Sequence, residues 1–230
     1  MSISDNVEIV RERIEKAALR SGRDPEDIKI VAISKTFGTE LIREVLDCGI
    51  KDIGENRVQE AEAKYNELGN IACWHLVGHL QTNKVNKALR VFNFIQSLDS
   101  IKLAKKISRR LEVLNKDVTL LFQVNTSEED TKFGTAVSEV DRFIDELVQL
   151  DNLKIEGLMT IAPFTDDESL IRHSFISLRE IFERLSSIKL KNFNMKYLSM
   201  GMTDDFEIAV EEGSNILRIG RAIFGERKTA

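Results

Sequence analysis

The chain has 230 residues, 42% of them hydrophobic and 31% charged, enough to bury one sizeable core. A net charge of −5 gives no electrostatic basis for nucleic-acid binding, two cysteines make no disulfide framework, and no apolar run is long enough to span a bilayer. With two prolines, no Gly/Ser-rich linker and no cleavable N-terminal signal, the expectation is one cytoplasmic domain over 1–230.

In chain order, residues 5–21 predict an amphipathic helix capped by Asp5 or Ser4, ended by Ser21-Gly22 and a turn at Asp24-Pro25. The β-branched apolar run Ile30-Val31-Ala32-Ile33 predicts a buried strand over 29–34. A repeating unit of strand, polar exit and helix follows. Helices are expected at 39–48, 57–68, 82–90, 101–114, 137–149, 167–187 and 205–212, the fourth capped by Asp99 or Ser100 and the last by Asp204. The strands between and after them fall near 51–53, 71–77, 91–95, 118–124, 155–161, 197–200 and 216–219, with a long polar loop through Gly134 and a short tail after Arg221. Eight such units predict an α/β fold, a single (β/α)8 TIM barrel with an extra N-terminal helix. The competing arrangement is an open doubly wound sheet, for which no dinucleotide fingerprint is present.

A barrel gathers functional groups at the C-terminal ends of its strands. There the sequence offers Lys35, Asn56, His79, Gln96, Asn125, Thr160, Ser199 and Arg218. Burial at a strand mouth would raise the neutral fraction of the Lys35 amine, the form that attacks carbonyls, so a Schiff-base lysine is one reading. A solvated lysine just past a strand is the other. After the seventh and eighth strands, where barrels often bind phosphate, come Ser199-Met-Gly201-Met-Thr203 and Arg218-Ile-Gly220-Arg221. Gly201 and Gly220 let backbone N–H groups approach an anion, or simply make strand-exit turns. Taken with Lys35 they favour a phosphorylated carbonyl ligand, and pyridoxal 5′-phosphate combines both features. Arg218 interrupts the apolar run Ile216-Leu217-Arg218-Ile219, so alternation turns it away from Leu217 and Ile219. Buried there, it needs a partner: a carboxylate such as Glu55, or the cofactor's ring nitrogen.

The chain resembles the YggS/PROSC family of pyridoxal phosphate homeostasis proteins. The resemblance lies in Ala32-Ile-Ser-Lys35-Thr, Gly54-Glu-Asn-Arg-Val-Gln-Glu60, Trp74-His-Leu-Val-Gly-His-Leu-Gln-Thr-Asn-Lys84, Gln96-Ser-Leu-Asp-Ser100, Gln123-Val-Asn-Thr-Ser127 with Lys132-Phe-Gly134, Gly157-Leu-Met-Thr160, Leu198-Ser-Met-Gly-Met-Thr-Asp-Asp-Phe206 and Arg218-Ile-Gly-Arg-Ala-Ile-Phe-Gly225. It implies a fold-type III barrel, similar to the barrel domain of alanine racemase, with pyridoxal phosphate as a Schiff base on Lys35. It further implies phosphate contacts around Ser199, Gly201, Gly220 and Arg221, Arg218 at the ring nitrogen and Asn56 near the ring. His79, Met200 and Thr160 are further candidates. Arg57 stands where that family often has tyrosine and Arg221 where it often has threonine, so a hydroxyl ligand is missing.

His75 reads as a wall or core residue, and His173 as surface. Cys48 and Cys73 read as structural, and the histidines and cysteines show no metal-ligand spacing, so no metal is expected. Lys84, Lys87 and Arg90 read as a solvated basic face, and Asp204-Asp205 as a helix start. A two-base racemase needs an acid/base group on each face of its substrate. Alanine racemases take the second from an extra β-domain, which is not expected here, and Tyr65 and Tyr197 are placed away from the mouth. The expectation is therefore a monomeric carrier with no catalytic residues, holding pyridoxal phosphate reversibly, buffering its level and passing it to apo-enzymes. The alternatives are a pyridoxal-phosphate-dependent amino-acid racemase with His79 or water as second acid, and a class I Schiff-base aldolase.

Overall fold

A computed structural model describes residues 1–127, 129 and 132–226. Parts of the expected polar loop and of the C-terminal tail lie outside the described residues. The elements are α1 (Ile3–Arg20), β1 (Lys29–Ile33), α2 (Thr39–Asp47), β2 (Asp52–Glu55), α3 (Val58–Leu68), β3 (Cys73–Leu76), α4 (Val85–Val91), β4 (Phe94–Leu98), α5 (Ile101–Leu114), β5 (Thr119–Asn125), β6 (Thr135–Ala136), α6 (Val140–Leu147), β7 (Lys154–Met159), α7 (Glu168–Ser186), β8 (Phe193–Ser199), α8 (Phe206–Glu211), β9 (Ile216–Ile219) and α9 (Arg221–Phe224). Neighbouring strands run β4-β3-β2-β1-β9-β8-β7-β5, all parallel, and β4 pairs with β5 from Phe94↔Thr119 onward. That last pairing closes the expected barrel and excludes the open sheet. Among the described residues no helix is long and apolar enough to cross a membrane.

The apolar residues divide into two layers. Val31, Ile33, Leu121, Met159 and Ile216 point into the barrel, where Tyr197 packs on them. A larger layer, including Ile42, Trp74, Leu89, Phe122, Phe175 and Leu217, fills the space between strands and helices. The helix after the eighth barrel strand, α9, spans only four residues. The 18-residue α1 packs against α2, α8 and α9, and so fills the gap in the outer ring. Its buried stripe of Val7, Val10, Ile14, Ala17 and Ala18 has the 3.6-residue period that one-sided burial requires.

Several boundaries differ from those expected. Helix α1 is capped by Ser2 rather than Ser4 or Asp5. Ser2 Oγ accepts the Asp5 N–H (3.1 Å) while the Asp5 carboxylate accepts the Ser2 N–H (2.9 Å), a reciprocal box. Val91 belongs to α4, buried in the helix layer, so β4 starts at Phe94 and takes Gln96 inside the barrel. Strand β8 starts at Phe193, its first half being too solvent-facing to show as an apolar run. Asp205, not Asp204, is the cap of α8 and accepts the Met202 N–H. The expected tail begins as α9, and the loop before α6 contributes β6, which pairs with the end of β5 at Val124↔Thr135.

A buried ion cluster fixes the exit of β1. Lys64, on the inner face of α3, donates to the Ser34 carbonyl (2.8 Å), Glu55 Oε1 (2.6 Å) and Glu60 Oε1 (2.9 Å). These three acceptors match the three protons of an ammonium. Ser34 Oγ adds a donation to Glu55 Oε1 at 2.6 Å. Burial nevertheless raises the Glu55 pKa, with Lys64 and Ser34 pulling it back. Lys64→Met leaves that carboxylate uncompensated and is expected to cost about 3–5 kcal/mol near neutral pH. Because Glu55 can escape by taking up a proton, the deficit in urea unfolding should be larger at pH 8 than at pH 5. An equal deficit at both would show that Glu55 is not the residue left exposed.

Candidate functional site

The register pairs Val31 with Arg218 and Ala32 with Ile219, which brings the end of β9 beside the exit of β1. Lys35 sits half-buried in the turn that follows. The Phe37 N–H closes this turn on the Ser34 carbonyl at 3.0 Å. Thr36 holds a φ of 72°, a region β-branched residues avoid, and its N–H is bound by Glu60 Oε1 at 2.5 Å. The lysine backbone is thus held from both sides by the cluster around Lys64.

Arg218 is buried inside the barrel, as alternation requires. Its Nη1 donates to Ser199 Oγ (2.7 Å) and its Nη2 to the Thr160 carbonyl (2.6 Å). Glu55 is not its partner, being taken by Lys64 and Ser34. Among the described residues no carboxylate lies within ion-pairing distance of Arg218; the charge acting on it is that of buried Asp205. Burial pushes the guanidinium down to about 10, which leaves it a cation at neutral pH.

The other expected residues separate into two groups. Gly201, Gly220 and the Arg221 backbone line the loops after β8 and β9, at the same rim as Lys35. Gly201 needs to be glycine, because its φ is 93° and a Cβ would lie 2.5 Å from that of Ala209. Its carbonyl accepts the Arg218 N–H at 3.0 Å, tying the Gly201 loop to β9. Asn56 lies at the exit of β2, against Gly78, where any Cβ would come within 2.3 Å of the Asn56 carbonyl oxygen. His79 stacks on Phe133 with ring centroids 4.1 Å apart, and its Nδ1 is 2.6 Å from Asp99 Oδ2.

The second group turns away from the rim. Ser199 Oγ is enclosed between Arg218 and Gln96 Oε1 (2.6 Å), so its hydroxyl serves the barrel interior. Thr160 offers Arg218 only its carbonyl; its hydroxyl bonds the Val124 carbonyl and Thr126 Oγ1, both at 2.8 Å. The Met200 side chain packs into the outer apolar layer. The Arg221 guanidinium is taken by carboxylates, pairing with Asp204 of the Gly201 loop and with Glu226. Sequence reading places Thr203 only at the end of the Ser199–Thr203 cluster, with no role of its own, yet its Oγ1 accepts the Ala222 N–H at 3.4 Å and ties the Gly201 loop to the start of α9. Lys64 and Glu60 were also missed. The available signal was a lysine on the Val58, Ala61, Leu68 face of a helix, where an apolar residue belongs.

At the opposite end of the barrel, His75 is a buried wall residue as expected, bonded to Asp52 and Gln96. Cys73 joins Asp52 and His75 in a group whose donor atoms lie within 4.8 Å of one another, a proximity that sequence spacing did not suggest. The Lys29 ammonium already sits on that Asp52, at 3.0 Å. Burial and Asp52 push the Cys73 thiol up to about 12.

Residues 3–228 match the family model described as "Alanine racemase, N-terminal domain". The chain is 41% identical over 229 residues to the pyridoxal phosphate homeostasis protein of Aquifex aeolicus, covering 99% of this chain and 100% of the relative. It is 35% identical to the protein of that name from Escherichia coli K12, over 98% and 97% of the two. Among solved structures, PipY of Synechococcus elongatus with pyridoxal phosphate bound is 34% identical, with a TM-score of 0.81 over 94% of this chain and 100% of that one. An alanine racemase from Clostridium difficile shares the fold at 15% identity, with a TM-score of 0.74 over 98% of this chain and 57% of that one. The chain belongs to the alanine racemase N-terminal-domain family and, within it, to the pyridoxal phosphate homeostasis proteins.

Proposed function

We propose that this protein binds pyridoxal 5′-phosphate reversibly on Lys35, buffers its free level and delivers it to apo-enzymes. The observation that carries the reading is Arg218: a guanidinium buried at the barrel mouth, held by a hydroxyl and a carbonyl, beside a strained turn that presents a lysine. A buried cation without a contacting carboxylate is costly. A ligand nitrogen that accepts one of its remaining N–H groups makes that cost useful.

The residues fit the group. Lys35 offers the primary amine. Arg218 offers a donor that keeps its own proton, so a ring nitrogen bound there stays largely unprotonated. The loops around Gly201 and Gly220 offer backbone N–H groups, and Thr203 a hydroxyl, to a phosphate. Asn56 and His79 border the mouth, and Arg221 contributes through its backbone. Ser199, Thr160 and Met200 support these groups from behind. When bound, pyridoxal phosphate supplies an aldehyde carbon that condenses with a primary amine with loss of water. The relative of 34% identity whose structure contains the cofactor supports the assignment.

A carrier is favoured over a racemase because both tyrosines are engaged elsewhere. Tyr65 Oη donates to Asn70 on the outer layer, and Tyr197 packs inside the barrel. The His79–Asp99 pair is what a racemase reading would use. Borohydride reduction of protein saturated with pyridoxal phosphate should leave a phosphopyridoxyl group on Lys35 in the peptide map, and the yellow colour should be lost in Lys35→Ala. An adduct elsewhere overturns the assignment. In heavy water, the loaded protein should not sustain exchange of the α-proton of alanine or other amino acids. Repeated turnover abolished by both Lys35→Ala and His79→Gln would instead make it a racemase.

A further inference from the structure

We infer that Asp52, at the bottom of the barrel, orients Arg218 at the mouth through a directed hydrogen-bond relay formed by His75, Gln96 and Ser199. The links are Arg218 Nη1 to Ser199 Oγ at 2.7 Å, Ser199 Oγ to Gln96 Oε1 at 2.6 Å, Gln96 Nε2 to His75 Nδ1 at 3.0 Å and His75 Nε2 to Asp52 Oδ1 at 2.8 Å. The five residues come from β9, β8, β4, β3 and β2, and all are buried. Together they cross the barrel interior.

The two ends fix the direction of every link. A guanidinium only donates, so Ser199 Oγ accepts and its single proton must go to Gln96 Oε1. The Gln96 amide then presents its NH2 to His75 Nδ1, which must be unprotonated. The imidazole proton is left on Nε2 and is donated to Asp52, a carboxylate that only accepts. Reversing the Gln96 amide would require a proton on Nδ1, so that a ring still donating to Asp52 would be a buried imidazolium, and would strand the Ser199 proton. His75 is therefore neutral, in the Nε2–H form. Burial favours the neutral ring; it also works against the Asp52 carboxylate, but the hydrogen bonds from His75 and Lys29 and the Lys29 charge outweigh it and hold the Asp52 pKa below its ordinary value.

The surroundings hold the relay in place. Phe94 stacks on His75 with ring centroids 4.3 Å apart. Lys29 Nζ contacts both Asp52 oxygens, at 3.2 and 3.0 Å, from the more exposed side. Cys73 Sγ lies 3.5 Å from His75 Nε2. At the other end Asp205 is the charge facing Arg218. Asp52, His75 and Gln96 are thus positioning residues: they touch no ligand and act through Ser199 on the guanidinium. The Nε2 proton also means that the Asp52, Cys73 and His75 group presents no imidazole lone pair to a metal. The functional weight of the relay rests on the cofactor reading above, but the relay itself belongs to the chain without cofactor.

The test uses nitrogen-15 NMR of cofactor-free full-length protein labelled at histidine and arginine. His75 is expected neutral with its proton on Nε2. The Arg218 Nη–H protons are expected in slow exchange, accelerated about fivefold in Asp52→Asn, which keeps an acceptor for the Nε2 proton but removes the charge that strengthens the bond. Lys29→Met removes only the outer ion pair and should leave the Arg218 signals in place, so a merely structural Asp52–Lys29 pair would behave differently. Gln96→Glu, which cannot donate to Nδ1, should place a proton on that nitrogen. A proton on His75 Nδ1 in the unsubstituted chain overturns the relay without any variant. So do Arg218 signals that ignore Asp52→Asn, or that move equally in Lys29→Met. A relay found intact in a protein whose borohydride map misses Lys35 would overturn only the cofactor reading.

Discussion

A charge taken into a protein interior must find acceptors for its protons there, because water no longer supplies them. Arg218 sets this condition for the barrel. Its neighbours Ser199, Gln96, His75 and Asp52 are polar residues in positions where barrels ordinarily carry branched apolar ones. Each is satisfied by the next, so the barrel interior combines a small apolar cluster with a polar thread. Lys64 meets the same condition differently. It lies near the rim, where Glu60 keeps contact with solvent, and takes two carboxylates directly. One buried cation thereby shapes the turn that carries Lys35, and the other organises the polar thread through the barrel.

Much of the fold was legible because parallel strands inside a helical ring carry an unambiguous pattern. Short β-branched runs such as Ile30–Ile33 alternate with amphipathic helices, and eight repeats leave closure as the natural arrangement. The misplaced edges have local causes. Val91 and Phe92 look like strand residues but are buried where α4 ends, which displaces β4 by three residues. The role of α1 as the completing helix was not legible, since it depends on α9 being too short to close the ring.

The site was legible residue by residue, and its side-chain directions were not. Alternation located Arg218 inside the barrel, but nothing in the spacing said that Ser199 would face it rather than an anion. Ser199 and Arg218 are 19 residues apart, on adjacent strands whose relative register is set by pairing at Ser199↔Ile216. Likewise Thr160 sits at the rim, yet its hydroxyl is taken by Thr126, which in turn bonds Ser174 of α7. Sequence motifs record that such residues are needed together. Only the register shows which atom of each one does the work.

The turn at Lys35 shows how the two cations divide their tasks. A lysine that merely followed a strand into solvent would need no special backbone. Here Thr36 holds φ 72°, a conformation that costs about 1–3 kcal/mol for such a residue. The Thr36 N–H bond to the Glu60 carboxylate returns about 1.5–3 kcal/mol, since one partner is charged. The two nearly cancel, so the turn is not held by its own local energy. Lys64 tips the balance by joining the Ser34 carbonyl, Glu55 and Glu60 into one unit, which fixes both ends of the segment at once. A backbone fixed in this way spends little conformational entropy when its side chain is captured. That suits the proposed carrier, which would take up and release the same ligand many times without changing shape.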